Sequence, residues 1–264
     1  MMRMTPIVKN ILIINVVIAL IQGFLNLPLN DWLSLRVIFS PEWAPWQFFT
    51  YMWLHAGMWH LFGNMFAVFI FGPMLEHVWG SKRFLTFYMI CGVGAGVLYG
   101  VADFFEKLPV KQQAQEYVMN PNPEDFRIFI LDHKLDVRSA SMLTDFSDEY
   151  YEHPDDQTMI NQSKRYVSEI LSIYINGSMV GASGAVFGIL MAFGMLFPNT
   201  QLMLLFPPIP VRAKYIVLFY GLYELYAEFS RAPGDNVAHL AHLGGMLIAF
   251  ILIKYWARKS NRFY

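Results

Sequence analysis

The chain has a single cysteine, Cys91, in 264 residues. An internal disulfide needs two, and zinc sites built on cysteine clusters need more, so both are excluded. Charge is also scarce: Asp, Glu, Lys and Arg make up 15% of the residues, against about 25% in an ordinary soluble domain. The formal net charge of −1 offers no global field to attract nucleic acid. Internal repeats are absent as well, which removes the usual sequence mark of an inverted-repeat transporter.

Apolar surface is what the chain has instead. Hydrophobic residues make up 56% and aromatic residues 17%. So much apolar surface calls for a solvent other than water, and lipid is the simple answer. A spanning helix takes about 20 mostly apolar residues. Candidate spans lie near 7–27, 55–76, 84–102, 183–197, 213–229 and 237–256, the fourth and fifth being short. The first follows a basic start without a small-x-small cleavage site, so it reads as a retained helix rather than a removed signal. Lys and Arg gather on one side of these spans, from Arg3 and Lys9 through Lys82 and Arg83 to Lys254 and Arg258. The opposite side, outside a long insert, carries only Arg36 and Arg231. By the positive-inside rule both termini face the cytoplasm. The expectation is an all-α membrane protein, one domain over 1–264, in a bacterial plasma membrane.

The insert, 103–170, breaks the apolar pattern. Residues 103–169 hold fourteen Asp and Glu against seven Lys and Arg. An acidic segment fits the non-cytoplasmic side. DFRIFILDHKLDV and QSKRYVSEILSIYI read as amphipathic helices on the membrane surface; the insert as a whole reads as a solvated decoration.

Polar groups inside a bilayer are costly, about 2.5–3.5 kcal/mol each on insertion scales, so those present invite a functional explanation. Three clusters qualify. His55, His60 and Asn64 lie in HAGMWHLFGN, with His60 and Asn64 on one helix face. Taken singly, each reads more readily as hydrogen-bonding glue between helices. Ser183 sits in GASG, framed by glycines that let backbone and ligand approach closely. Gly177, Gly181, Gly184 and Gly188 also match a small-residue packing face. VAHLAHLGGM brings His239 and His242, then Gly244 and Gly245, which allow this helix to pack closely against the one bearing Ser183. A serine becomes a nucleophile beside a general base, and histidine suits that role. No carboxylate lies in the last span, so a two-residue Ser-His dyad is expected rather than a triad. The Ser183 amide, His60 and Asn64 can serve as donors to an oxyanion. Glu224 and Glu228, four apart, read as reaching toward the outer interface.

With these residues the sequence resembles the rhomboid intramembrane serine proteases. The resemblance rests on H-x4-H-x3-N at His55, His60 and Asn64, G-x-S-G at Gly181 to Gly184, and A-H-x-G-G at Ala241 to Gly245, and it covers most of the chain outside the insert. It implies a six-helix bundle with Ser183 as nucleophile and His242 as general base. Oxyanion donors would be His60, Asn64 and the Ser183 amide. His239 would be a neighbour of the base, and Gly181, Gly184, Gly245 and His55 would support the site. Glu76, Gly80 and Arg83 match as structural positions. The resemblance also implies single-pass membrane proteins as substrates, entering near the second and fifth spans, and needs no metal or other cofactor.

The chain departs from the family in four places, one being the insert, which is longer than the minimal family core and sits just before Ser183. Trp46-Gln47 stands where Trp-Arg is common. Phe187 replaces a tyrosine that packs on the catalytic histidine and can still stack. Ala249 ends the last span's small-residue pattern. INGSMVGA, ahead of Ser183, is expected to descend as non-helical chain into a wet cavity, and the loop around SRAPGDN (230–236) to act as a mobile cap. Two other readings compete. One is a transporter or channel using His60, Asn64, His242 and Glu224 as an ion path; the other is a helix-binding protein without catalysis.

Overall fold

The computed structural model describes residues 4–25, 27–133, 137–203, 207–230 and 237–259. Eleven α-helices run in chain order among them: α1 Pro6–Phe24, α2 Leu29–Leu33, α3 Gln47–Thr50, α4 Met58–Trp79, α5 Ser81–Met119, α6 Pro123–Asp132, α7 Val137–Glu152, α8 Gln157–Ile175, α9 Ser183–Leu196, α10 Ala213–Ser230 and α11 His239–Lys259. A short antiparallel ribbon pairs β1 (Gln201–Met203) with β2 (Pro210–Arg212). The chain divides into two compact units. The first comprises 1–36, 42–102 and 178–264; the second comprises 37–41 and 103–177.

In the first unit, α1, α4, α5 and α11 are long and apolar enough to cross a membrane, and α9 is a shorter apolar helix of 14 residues. α10 has 18 residues and is less uniformly apolar. Its core includes Val68, Leu75, Phe84, Phe87, Tyr88, Ala185 and Ile189, all without solvent exposure. The outward faces are apolar too: α1 presents Ile13, Val17 and Leu20, and α10 presents Leu218, Phe219, Leu222 and Phe229.

The motif around Glu76 fixes the ends of three helices. The first turn of any helix has N–H groups without intrahelical partners. For α1 the Glu76 carboxylate takes two of them, from Ile7 at 3.1 Å and Val8 at 3.0 Å, together with the Ser81 hydroxyl at 2.6 Å. Gly80 separates α4 from α5 at φ +77°, a conformation that a β-carbon disfavours. Arg83 lies over the Trp256 ring at 4.1 Å. These are the structural roles expected of Glu76, Gly80 and Arg83.

At Trp46-Gln47 the loop is tied by Gln47 itself, which is fully buried. Its amide donates to the Glu42 carbonyl at 2.8 Å and its carbonyl accepts from the Arg36 amide at 3.3 Å. Arg36 then pairs with Glu42 at 2.6 Å.

The second unit corrects the sequence expectation for the insert. α6 and α8 are helical as expected, but their apolar faces are turned into a core shared with α7. Phe126, Phe129 and Ile130 of α6 meet Leu143 and Tyr150 of α7 and Val167 and Ile170 of α8, with Ala114 and Tyr117 from α5. These faces are thus covered by protein rather than laid on lipid. Burying several aromatic rings, each worth about 1.5–3 kcal/mol, is enough to order a small helical unit. Asn122 and Asp156 cap α6 and α8 through their side-chain oxygens. Residues 134–136, within DFRIFILDHKLDV, lie outside the described residues.

Candidate active site

Ser183 is the first residue of α9. The chain reaches it as the non-helical approach expected of INGSMVGA, and backbone bonds hold that approach in place. Met179 and Leu35 exchange both backbone hydrogen bonds, at 2.9 and 2.8 Å, and the Gly181 amide donates to the Tyr51 carbonyl at 3.0 Å. Gly181 sits at φ +128°, and a β-carbon there would lie 2.6 Å from His60 Cε1, 2.8 Å from His60 Nε2 and 3.7 Å from Ser183 Oγ. The missing side chain is therefore what leaves the His60 ring and the Ser183 hydroxyl on a common space. As the first helical residue, Ser183 has an amide with no intrahelical acceptor, and the helix dipole favours negative charge beside it. Ser183 is half-buried.

α11 packs on α9 glycine to glycine. A β-carbon on Gly245 would overlap the Gly184 carbonyl, one on Gly184 would lie 3.4 Å from the Ala241 carbonyl, and one on Gly188 would lie 3.4 Å from that of Gly245. Of the four glycines in the small-residue pattern, only Gly184 and Gly188 are on the helix; Gly177 and Gly181 precede it. The close approach lays the His242 ring flat on Phe187, with centroids 4.2 Å apart and planes 8° from parallel. Phe187 is four residues after Ser183, so the two share a face of α9. The imidazole is thus stacked on the face that carries the hydroxyl. Among the described residues no hydrogen bond joins Ser183 to His242; in free enzymes such bonds are commonly long and tighten around substrate.

α4 carries His60 and Asn64. His60 Nδ1 accepts from the Ala56 amide at 3.4 Å, which in a neutral ring leaves the proton on Nε2, the nitrogen nearest Gly181. Asn64, one turn on, is buried, and its Nδ2 has no hydrogen-bond partner among the described residues. Leaving a buried donor unpaired costs about 1–3 kcal/mol. His55 lies in the loop before α4, with its ring edge-on to His60 at 5.2 Å.

Glu224 is where the structure departs most from the sequence expectation. It does not reach outward. Its residue is 5% exposed, and Oε2 lies 2.5 Å from His239 Nδ1 and 2.9 Å from His242 Nδ1. The first contact is a hydrogen bond; the second has an ion-pair distance without hydrogen-bond angles. The outward face of α10 is apolar and offers a carboxylate no partner, whereas the side turned to α11 offers two imidazoles. The absence of a carboxylate from α11 therefore did not leave His242 without one; it comes from α10. Its mark in the sequence is that of a lone acidic residue among FYGLYELYA, which singles it out without saying which way α10 is turned. Residues 231–236 of the expected cap lie outside the described residues.

The Rhomboid domain family matches residues 42–109 and 160–259, well over half of the chain. The chain belongs to the rhomboid family. It is an integral membrane protein of that family, and residues 110–159, most of the second unit, fall between the two matched stretches. It is 49% identical over 53 residues to RHOMBOID-like protein 6, mitochondrial, of Arabidopsis thaliana, a stretch covering 20% of this chain and 17% of that protein. To the Bacillus subtilis (strain 168) protein YdcA, provisionally named a rhomboid protease, it is 31% identical over 110 residues, 39% of this chain and 51% of that one. With RHOMBOID-like protein 1 of Arabidopsis thaliana it shares 42% over 53 residues, 20% of this chain and 14% of that protein. The matched stretches thus span about half of YdcA and under a fifth of the two plant proteins.

Proposed function

We propose that this chain is an intramembrane serine endopeptidase that cuts single-pass membrane proteins in or near their transmembrane segments. The observation that carries the reading is the grouping at one helix start: Ser183 opens α9, its face bears the stacked Phe187–His242 pair, and His60 Nε2 shares its space. The rhomboid relationship and the apolar helices support the same conclusion.

The steps follow from these groups. Ser183 Oγ forms a bond to the scissile carbonyl carbon while its proton passes to His242 Nε2. Nδ1 of that ring is already turned to Glu224, so Nε2 is the nitrogen left for the serine. The carbonyl π pair moves onto oxygen, which takes hydrogen bonds from the Ser183 amide, His60 Nε2 and Asn64 Nδ2. Removing one such donor costs on the order of 10²–10³ in rate. Collapse breaks the C–N bond, and the leaving amine takes the proton from Nε2. Water then repeats the sequence on the acyl-enzyme. Side chains and one backbone amide supply all of this chemistry.

α9 and α10 complete a six-span bundle in this reading. The basic ends and both termini face the cytoplasm of a bacterial plasma membrane, and the substrate helix enters laterally and unwinds locally before attack. Reconstitution with a single-span test protein checks the reading. Wild type yields two fragments, and Ser183→Ala and His242→Ala yield none. Persistent cleavage by Ser183→Ala contradicts the serine mechanism.

A further inference from the structure

Glu224 is a buried acidic residue that takes no part in the bond-making steps above. It enters from α10, the element next to α11, and a single oxygen, Oε2, meets Nδ1 of both His239 and His242. An ionised carboxylate only accepts hydrogen bonds, so each Nδ1 facing it is best protonated. The His242 contact lies off hydrogen-bond angles, so the carboxylate acts on that ring through its charge at 2.9 Å, which favours the proton on Nδ1 and leaves Nε2 to the serine. Phe187 covers one face of the ring and limits its rotation, so ring plane and ring rotation are set by two different helices. His239 holds that same oxygen by a hydrogen bond at 2.5 Å.

We propose that Glu224 is the positioning residue of His242. Its carboxylate holds the proton on Nδ1, aims Nε2 at Ser183 and balances the imidazolium formed when the serine gives up its proton, with His239 anchoring the carboxylate. This rests on the proteolytic reading of Ser183 and replaces its two-residue centre with a Ser183–His242–Glu224 relay. The relay moves only the serine proton, from Oγ to Nε2 and on to the leaving amine; the Nδ1 proton stays on His242. The same three groups lie close enough to hold a metal ion, their ligand atoms within 4.8 Å of one another. The two contacts are of hydrogen-bond length, shorter than the roughly 3.3 Å that separates ligands around a tetrahedral zinc ion at 2.0–2.1 Å, which favours protons as the link.

The test compares wild type, Glu224→Gln, Glu224→Asp and Glu228→Gln in proteoliposomes, with and without a chelator. It measures kcat and KM separately, kcat/KM against pH, and the rate of Ser183 labelling by a fluorophosphonate. Among the described residues, the other titratable groups near the ring are His239 on its own helix, His60 and His55 from the α4 side, Tyr51 near Gly184, and Tyr220 beside Phe187. They are unchanged across the set.

Glu224→Gln is expected to lose on the order of 10²–10⁴ in kcat, the scale of a lost tautomer and general base, with KM within about threefold. Its kcat/KM profile against pH differs in shape from that of wild type, because the imidazolium has lost its counter-charge. Glu224→Asp regains at least tenfold over Gln, and Glu228→Gln behaves as wild type. Full activity in Glu224→Gln with an unmoved profile overturns the proposal. So does equal loss in Gln and Asp with an unchanged pH profile, which marks a packing role only. A wild type that the chelator inactivates also overturns it, in favour of a bound metal. A wild type that neither cuts nor takes label refutes the proteolytic reading itself.

Discussion

α10 of the first unit and α6 of the second are both helices with two unlike faces, yet they bury opposite things. α6 turns Phe126, Phe129 and Ile130 inward and leaves Glu124 and Asp125 in solvent. α10 turns Glu224 inward with Ala213, Val217 and Ala227, and leaves Leu218, Phe219, Leu222 and Phe229 outside. The 3.6-residue period is the same, and the sign differs with the face left outside: charged residues on α6, apolar ones on α10. A polar residue on a spanning helix therefore points to the inside of the bundle, and to function, more often than to the surface.

The comparison is open to measurement. The largest expected effect lies in the water-side core. Phe126→Ala is expected to destabilise the second unit by about 3–5 kcal/mol, seen as early proteolysis within 123–175 on heating. Next comes the lipid side. Phe219→Asp is expected to cost about 2.5–3.5 kcal/mol in a membrane-insertion assay of α10, whereas Ile128→Asp, also at an exposed apolar position, shifts stability within about 0.5 kcal/mol. Equal effects at the two positions break the comparison. Gly245→Ala, facing the Gly184 carbonyl, is expected to cost about 1–3 kcal/mol by overpacking, read as a lower Tm in detergent. The smallest effect is at the α8 cap. The Thr158 amide, bonded to the Asp156 carboxylate at 2.7 Å, holds its pKa below the usual aspartate value. A lowered folded-state pKa gives stability that is present above the unfolded value and lost as pH falls through the folded one. Asp156→Ala should therefore flatten the acid side of the second unit's stability curve and leave the neutral side slightly lowered.

Much of the site could be read from residue types and spacing. Ser183 at a helix start, Phe187 stacked on His242 and the glycine contacts between α9 and α11 all follow from short motifs, because close backbone approach and i,i+4 faces are local properties. The non-helical approach to Ser183 was also legible, since Gly177 and Gly181 discourage a helix. Two things were not. Glu224 meets His242 from another helix, and the sequence does not say which way α10 is rotated. The insert's amphipathic helices were recognised, but what covers their apolar faces depends on partners far along the chain, such as Tyr150 against Phe126.

The central claim is that the Ser183 hydroxyl is a nucleophile made reactive by His242. Mass-spectrometric mapping of a fluorophosphonate adduct tests it most directly. The account predicts one modified peptide, carrying Ser183, in wild type and none in His242→Ala. An adduct on another residue, or equal labelling of Ser183 in His242→Ala, would contradict it.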